Sequence, residues 1–280
     1  MKQRIITALI LAPLVILGIC KLPLMGFIIA LTAITLLGFW EWTQFTGSRS
    51  RIAALIPAAI VTGLSFFYIS PEANSLNHLS TPHYVMLGLG FVWWIIASLM
   101  AITYPKTTKT WQSSLVLRHI FGFLTLIPFL WSVIILRASD ITVDPYHGAK
   151  LVLFVCFLVW AADSGAYFAG KSMGKRKMAP NVSPNKTIEG LIGGIIAALL
   201  VGWLFADWFD IHFTSSVHMV IITLITVVIS VLGDLVESMF KRVSGIKDSS
   251  NIIPGHGGVL DRIDSLTAAF PVFALLYYVF

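Results

Sequence analysis

Nine apolar runs divide this sequence, and each is close to the length that crosses a lipid bilayer. A transmembrane helix needs about 20 mainly apolar residues, within a range of roughly 17–25. The runs cover residues 5–20, 22–39, 52–69, 84–104, 119–136, 151–168, 190–205, 217–235 and 266–280. Only 11% of the 280 residues are charged, against about 25% in soluble domains, which is too few to cover a water-facing surface. The sequence therefore predicts an all-α, polytopic integral membrane protein with about nine transmembrane helices.

The basic residues predict an orientation for these helices. Of the 19 Lys and Arg residues, all except Lys21, Arg137 and Lys150 fall on one side when the runs alternate across the membrane. Because cytoplasmic loops carry the excess of Lys and Arg, we expect a cytoplasmic N-terminus. The net charge of +6 then lies in short loops that can meet anionic headgroups or phosphates, and we expect no nucleic-acid partner. The first run follows Lys2 and Arg4 as a signal peptide would, but no small-residue cleavage site follows it, so we interpret it as a membrane segment.

The two halves of the chain differ in where their polar residues lie. Residues 1–150 have few polar residues within the runs, and we interpret them as a scaffold and a lipid-facing wall. Residues 151–280 carry ionisable groups in or beside the runs, which is costly in a bilayer and by default indicates function. Cys20 and Cys156 lie in apolar runs and belong to no cysteine–histidine cluster, so nothing indicates zinc. We therefore expect the catalytic region within residues 151–280.

Asp163 and Ser164 lie near the predicted cytoplasmic end of the run at 151–168. Small neighbours such as Gly165 let another helix or a ligand approach closely. We interpret the pair as substrate-binding. The alternative is a helix-packing seam in which the carboxylate pairs with a basic neighbour.

The loop before the run at 190–205 combines hydroxyl groups, an amide and a lysine, with Ser183, Lys186 and Thr187 as its main candidates. It leads into a glycine-rich helix start, where backbone N–H groups suit a phosphate. The loop is a predicted phosphate cradle, although it is not a Walker motif, because the GxxxxGK[ST] frame is absent. The cations between 171 and 177 are explained equally well as determinants of topology.

The segment from 234 to 264 is the densest polar cluster. If it begins as a helix, one face carries a carboxylate, a hydroxyl and two cations: Asp234, Ser238, Lys241 and Arg242. The sequence Pro-Gly-His-Gly-Gly at 254–258 then makes a flexible turn. Asp261 and Asp264 open the next apolar helix on a shared face.

Carboxylates and cations together indicate a particular chemistry. Magnesium prefers hard oxygen ligands and is usually held by one or two carboxylates and the substrate's phosphates. Lysines and arginines beside it neutralise those phosphates and stabilise charge on the transferring group. The cluster therefore predicts metal-assisted phosphoryl or nucleotidyl transfer. The alternative is a surface salt-bridge loop that only caps two helices.

The polar positions from 238 to 264 resemble the signature of phosphatidate cytidylyltransferases, also called CDP-diacylglycerol synthases. The matching residues are Ser238, Lys241, Arg242, Lys247, Asp248, Pro254, Gly255, His256, Gly257, Gly258, Asp261, Arg262 and Asp264. Asp163-Ser164 and Ser183-Pro184-x-Lys186-Thr187 resemble two further family blocks. Length and polytopic architecture agree, so the resemblance extends over the whole chain.

The resemblance implies a reaction and its setting. CTP and phosphatidate would give CDP-diacylglycerol and pyrophosphate at the inner face of a bacterial cytoplasmic (inner) membrane. It also implies Mg²⁺, with a K⁺ ion beside it, and a homodimer. Asp234 and Asp261 are the implied metal ligands, and Asp264 either joins them or orients Arg262.

Roles for the remaining residues follow from the chemistry and the resemblance. We expect the catalytic groups to be Asp234, Asp261, Lys241, Arg242, Lys247, His256 and Arg262. We expect the substrate-binding groups to be Asp163, Ser164, Ser183, Lys186, Thr187, Ser238, Asp248, Gly257 and Gly258. His256 either contacts phosphate and protonates the leaving pyrophosphate, or is a turn residue that bonds backbone carbonyls.

Three other functions use some of these features. A CTP-dependent lipid-alcohol kinase needs similar metal and nucleotide groups. An ion-coupled secondary transporter would use Asp163 and Asp234, but the two halves show no corresponding pair of broken helices. A CDP-alcohol phosphotransferase is disfavoured because its spaced DGxxAR…GxxxDxxxD frame is missing.

Overall fold

The computed structural model describes residues 2–48, 50–71 and 79–280, except for the side chains of residues 2–6 and 8. The predicted contributions of Lys2 and Arg4 to the orientation therefore lie outside the described side chains. Within these limits the chain forms nine α-helices: α1 (Lys2–Lys21), α2 (Leu24–Thr46), α3 (Arg51–Tyr68), α4 (Thr81–Ile102), α5 (Leu115–Ala138), α6 (His147–Met173), α7 (Ile188–Trp208), α8 (Ser216–Val243) and α9 (Leu260–Val279).

Eight of these helices, α2 to α9, are long and apolar enough to cross a membrane, by length and composition. The prediction of an all-α polytopic membrane protein is confirmed, because the described residues contain little else. In α1 the described apolar stretch is shorter, Leu9–Lys21. The predicted count of nine spans is therefore not confirmed.

The helices pack around α5, whose second half is almost entirely buried. Helices α6 and α7 approach each other most closely, because glycines line their contact. A Cβ on Gly165 would lie 2.6 Å from the carbonyl oxygen of Gly193, and one on Gly194 would lie 2.7 Å from that of Ala162. Such small-residue contacts are a usual way for membrane helices to associate. The alternative interpretation of the Asp163–Ser164 segment was a helix-packing seam. For Gly165 that interpretation is correct.

Long-range contacts define two ends of the bundle. At the signature end, the end of α2 and the start of α3 meet the end of α8, the start of α9 and the loop 244–259, here named the signature loop. At the opposite end, Arg137 of α5 donates to the backbone O of Ile19 at 2.9 Å, and Tyr278 donates to Ile135 O at 3.5 Å. Thr7 of α1 contacts Pro254 of the signature loop at 3.2 Å, so α1 runs between both ends.

Two local features differ from the sequence-based expectation. The run that was predicted to end at residue 39 continues as helix to Thr46, because the protein buries the polar or amphipathic residues Glu41 and Trp42. The loop before α7 contains a two-stranded antiparallel hairpin, β1 (Lys177–Ala179) and β2 (Ser183–Thr187). The predicted boundary between the two regions, at residue 150, lies in the first turn of α6.

Candidate active site

Asp234 lies near the end of α8 and is held from two sides. Its Oδ2 is 2.6 Å from Nζ of Lys186, which reaches it from β2. Oγ of Ser238, one turn further along α8, donates to Asp234 Oδ1 at 3.3 Å. The predicted helical spacing of Asp234 and Ser238 is confirmed, since α8 continues to Val243. Lys186, which lies outside α8, thus supplies the cation that pairs with Asp234.

Lys241 joins two buried carboxylates. Its Nζ is 3.1 Å from Oε2 of Glu237, one turn earlier on α8, and 2.6 Å from Oδ1 of Asp261 at the start of α9. The carboxylate side chains of Glu237 and Asp261 are 5% and 4% exposed. Removing an ion from water costs several kcal/mol unless an opposite charge and hydrogen bonds compensate. The ammonium group of Lys241 therefore stabilises both carboxylates, and each of them fixes its position.

Backbone amides of the signature loop also bind Asp261. The N–H of Ser249 donates to both carboxylate oxygens, at 3.1 and 3.0 Å, and the N–H of Gly258 donates to Oδ2 at 2.7 Å. Gly257 has a φ of +85°, and a Cβ there would lie 2.5 Å from Asp261 Oδ2. A side chain at 257 would strain the backbone and collide with the carboxylate. Gly257 and Gly258 therefore let the loop wrap around Asp261.

Asp264 connects the two groups of charges. It interacts electrostatically with Asp234 and with Lys241. Asp163, on α6, interacts in turn with Asp264, Asp234 and Lys186. Side chains from α6, β2, α8 and α9 thus share one neighbourhood at the signature end, as the sequence predicts.

The hairpin that carries Lys186 is anchored at its base. Thr187 caps α7, because its Oγ1 accepts a hydrogen bond from the N–H of Gly190 at 3.1 Å. Oε1 of Glu189 pairs with Nε of Arg176 at 3.0 Å, and Oε2 accepts the Arg176 N–H at 3.1 Å. The buried hydroxyl of Thr187 thus has a structural contact, and the hairpin holds Lys186 over Asp234.

Three cavities open at this end of the bundle. The hairpin cavity, of about 320 Å³, has polar groups at Asp163, Lys186 and Asp234 together with apolar walls. The histidine cavity, of about 480 Å³, lies against the signature loop and includes His256 and Arg262. The arginine cavity, of about 540 Å³, lies between the signature loop and the ends of α2 and α3.

The remaining predicted residues distribute unevenly around these cavities. Ser183 lines the hairpin cavity, and Asp248 lines both the histidine and the arginine cavities. Lys247 lines the arginine cavity, which does not include Lys241. Nε of Arg242 donates to the backbone O of Val182 at 3.1 Å and so fixes the hairpin to α8. Ser164 is exposed on α6 and lines none of the three cavities.

Comparison with known proteins identifies the family to which this architecture belongs. The model of the cytidylyltransferase family matches residues 2–280. The chain belongs to this family. It is 45% identical to a phosphatidate cytidylyltransferase of Haemophilus influenzae over 99% of both chains, and 41% identical to one of Pseudomonas aeruginosa over 99% of this chain and 97% of that one. A phosphatidate cytidylyltransferase of Bacillus subtilis is 33% identical over 100% of this chain and 98% of the relative.

Glu41 is the first of two residues of this site that were not predicted from the sequence. Its carboxylate, fully buried on α2, accepts hydrogen bonds from Oγ of Ser249 at 3.0 Å and Ser250 at 2.6 Å, and from N–H of Val259 at 2.9 Å and Leu260 at 2.6 Å. It thereby joins the signature loop and the first turn of α9 to α2. The sequence does contain a signal for Glu41, because an ionisable residue directly after an apolar run is a candidate for function.

Glu237 is the second residue missed, because it was treated only as part of the helix that carries Asp234. Its position one turn before Lys241 gives an i,i+4 pair, which the sequence spacing alone predicts. The contact of Lys241 with Asp261 is long-range, and no spacing rule reveals it. The local contacts of this site can therefore be predicted from the sequence, whereas its long-range contacts depend on the fold.

The donor set fits a divalent cation in its chemistry. Asp234, Asp261 and Asp264 present hard carboxylate oxygens, and two of them have an ammonium nitrogen at 2.6 Å where a cation is attracted. Asp261 already makes four contacts, with Lys241, Ser249 and Gly258, so it would exchange one of them on binding an ion. In the described part of the chain, no three His, Cys, Asp or Glu side chains are already arranged around one point as a metal centre.

Proposed function

We propose that this protein transfers a cytidylyl group from CTP to phosphatidate, giving CDP-diacylglycerol and pyrophosphate. The match to the cytidylyltransferase family over almost the whole chain is the observation that carries the proposal. The signature end supplies the chemistry it needs, because carboxylates and ammonium groups from four elements share one neighbourhood. Three relatives that match over nearly their full length are phosphatidate cytidylyltransferases.

The proposed location is supported by the excess of Lys and Arg in the loops at the signature end and by the bacterial origin of the relatives. The signature end faces the cytoplasm of a bacterial cell, and the bundle lies in the inner membrane. The hairpin cavity is the proposed site for the lipid phosphate, because its wall combines Tyr167, Leu191 and Val231 with the cation Lys186. A lipid enters such a cavity sideways from the bilayer and keeps its acyl chains in an apolar environment. CTP occupies the histidine cavity from the aqueous side.

The reaction is a displacement at phosphorus. An oxygen of the phosphatidate monoester attacks the α-phosphorus of CTP, and the bond from that phosphorus to the bridging oxygen of pyrophosphate breaks. A phosphate monoester dianion is already a nucleophile, so no strong general base is required. Two anions must come together, so the protein's main contribution is electrostatic.

The cations of the signature end provide that contribution. Lys186 and Lys241 are held by Asp234 and Asp261 and are therefore positioned before the substrates arrive. Arg262 lines the histidine cavity and neutralises CTP phosphates. His256 lines the histidine cavity, where it contacts a phosphate or protonates the leaving pyrophosphate, and its Nδ1 has no hydrogen-bond partner among the described residues.

Mg²⁺ and K⁺ belong to this proposal, and Asp234, Asp261 and Asp264 are the residues that would hold Mg²⁺. When bound, Mg²⁺ would withdraw charge from the phosphate oxygens. Asp234 contacts Lys186 and Ser238 and would exchange one of these contacts on binding the ion, whereas Asp264 accepts the Ser265 N–H and interacts with Glu237. A homodimer is the proposed assembly, which light scattering of the purified protein in detergent tests.

Labelled CTP tests the proposed reaction. Purified protein and Mg²⁺ are incubated with phosphatidate or with a polyprenol, and with CTP carrying ³²P at either the α or the γ position. We expect the lipid fraction to gain label from the α position alone and pyrophosphate to gain the γ label. Label from the γ position in the lipid would instead identify a kinase, and no label from either position without an ion gradient would contradict an enzyme of both kinds.

A further inference from the structure

The arginine cavity adjoins the histidine cavity, with which it shares Asp248 and Asn251, and its walls carry further charges. Its walls include Arg51 at the start of α3, Trp40 and Gln44 on α2, and Lys247 and Asp248 of the signature loop. Neither Arg51 nor Lys247 forms an ion pair within the residues that the structure describes. The cavity therefore has two cations and one carboxylate, and it attracts anions.

Arg51 is fixed in place before any ligand binds. Its guanidinium carbon lies 3.6 Å from the ring centroid of Trp40, so the planar group stacks on the indole. Nε donates to Oγ1 of Thr43 at 3.2 Å, and Nη2 donates to the backbone O of Trp40 at 3.0 Å. Nη1 has no hydrogen bond among the described residues. Glu41 attracts Arg51 from beyond ion-pair distance, while its own oxygens are occupied by the signature loop.

The surface beside this cavity is shaped for lipid. Ile52, Ile56 and Ile60 lie along one face of α3, and they are 75%, 55% and 56% exposed. Residues four apart share a helix face, so these side chains form an exposed apolar stripe that begins at the residue after Arg51. Ile252 of the signature loop adds a further exposed apolar group at the cavity wall.

We propose that the arginine cavity binds the phosphate headgroup of an anionic phospholipid, with its acyl chains along the isoleucine stripe of α3. Guanidinium and phosphate form short, charge-assisted and often bidentate hydrogen bonds, and a stacked arginine loses little freedom on binding. The site is distinct from the hairpin cavity, with which it shares no lining residue, and it adjoins the histidine cavity at Asp248 and Asn251. Its occupant holds the loop through Lys247.

Phosphatidylglycerol is a suitable probe, because its phosphodiester lacks the monoester oxygen that attacks CTP. Binding of a fluorescently labelled phosphatidylglycerol to the full-length protein in neutral detergent micelles is measured for wild type and Arg51→Gln. We expect Arg51→Gln to lower the affinity about tenfold, through loss of charge-assisted hydrogen bonds. Lys109→Gln is the matched control, because Lys109 is exposed and lines none of the three cavities; it should bind as wild type does.

A second variant covers the case in which Arg51→Gln unfolds. Ile252→Glu places a negative charge at the exposed cavity wall without removing a contact of Arg51, and it should also weaken binding. Equal affinity of wild type and both folded variants would overturn the site. Displacement of the labelled lipid by CTP or inorganic pyrophosphate, at concentrations where unlabelled phosphatidylglycerol does not displace it, would overturn the lipid assignment.

Discussion

Ion pairs at the two ends of the bundle differ in reach and in burial. At the opposite end, Lys150 pairs with Asp144, and Nε2 of His212 lies 3.4 Å from Asp210; both contacts join close neighbours in sequence. The side chains of the His212 pair are 84% and 80% exposed. At the signature end, Lys241 joins α8 to α9 with 13% of its side chain exposed, and Asp261 beside it has 4% exposed.

The exposed pairs at the opposite end and the buried pairs at the signature end therefore differ in what they contribute. Exposed pairs contribute between about 0 and 1 kcal/mol to stability. Buried pairs suffer a desolvation penalty that their attraction often fails to offset, so an apolar replacement would commonly be as stable. Charges that remain buried at the signature end are therefore best explained by binding of phosphates, and the opposite end should tolerate neutralisation.

Neutralising Asp261 should have the largest effect on activity. Asp261→Asn weakens the contact with Lys241 and changes the loop amides around it, so we expect CDP-diacylglycerol formation to fall at least about 10²-fold. Radiochemical turnover of the purified variant measures this, with size-exclusion chromatography to show that it remains folded. Asp261→Asn with wild-type turnover at normal Mg²⁺ would refute the assignment of Asp261 as a metal ligand.

Replacing Lys241 should damage both activity and stability. Lys241→Met leaves Glu237 and Asp261 buried without their common cation, which costs about 3–5 kcal/mol when one partner of a buried pair is removed. Thermal unfolding in detergent measures the loss. Glu237→Gln is the matched control, since it keeps the contact between Lys241 and Asp261 and should lose much less turnover. Equal losses in both variants would contradict the leading role of that contact.

Neutralising Glu41 should have an intermediate effect. Glu41→Gln retains one acceptor oxygen for four donors of the signature loop and α9, so we expect turnover to fall about tenfold, as charge-assisted bonds to the carboxylate are lost. Limited proteolysis should show faster cleavage within residues 244–259. Unchanged cleavage with unchanged turnover would show that Glu41 does not position the loop.

The smallest effect is expected at the opposite end. The Tyr146 amide, and then Lys150, hold the pKa of Asp144 below its ordinary value. A depressed carboxyl pKa stabilises the fold above the unfolded-state pKa, and this contribution is lost as the pH falls through the folded-state pKa. Asp144→Asn should therefore slightly reduce stability near neutral pH and leave turnover within about twofold, since exposed pairs contribute little. A large loss of turnover would break the contrast between the two ends.

Much of the fold was predictable because a lipid bilayer restricts which structures can span it. A bilayer requires long apolar helices, and all eight predicted runs after the first coincide with observed helices. The end of α2 was not predicted, because the apolar run stops at residue 39, although the protein itself buries Glu41 and Trp42. The hairpin was also missed, since its strands are too short for a periodic pattern.

The candidate site was predictable only in its local parts. The face of α8 with Asp234 and Ser238 follows from helix geometry, and so does the pairing of Glu237 with Lys241. The contact of Lys186 with Asp234 and the docking of the signature loop on Glu41 join residues far apart in sequence. Such contacts depend on which elements meet, and a single sequence does not contain that information.

A double-mutant cycle on Lys186 and Asp234 tests most directly that separate elements form one catalytic site. Turnover of CTP and phosphatidate is measured for Lys186→Met, Asp234→Asn and the double variant. Because the two groups are 2.6 Å apart and act together, the account predicts that the double variant loses little more than the worse single variant. Losses that multiply would show that Lys186 and Asp234 act independently and would contradict the account.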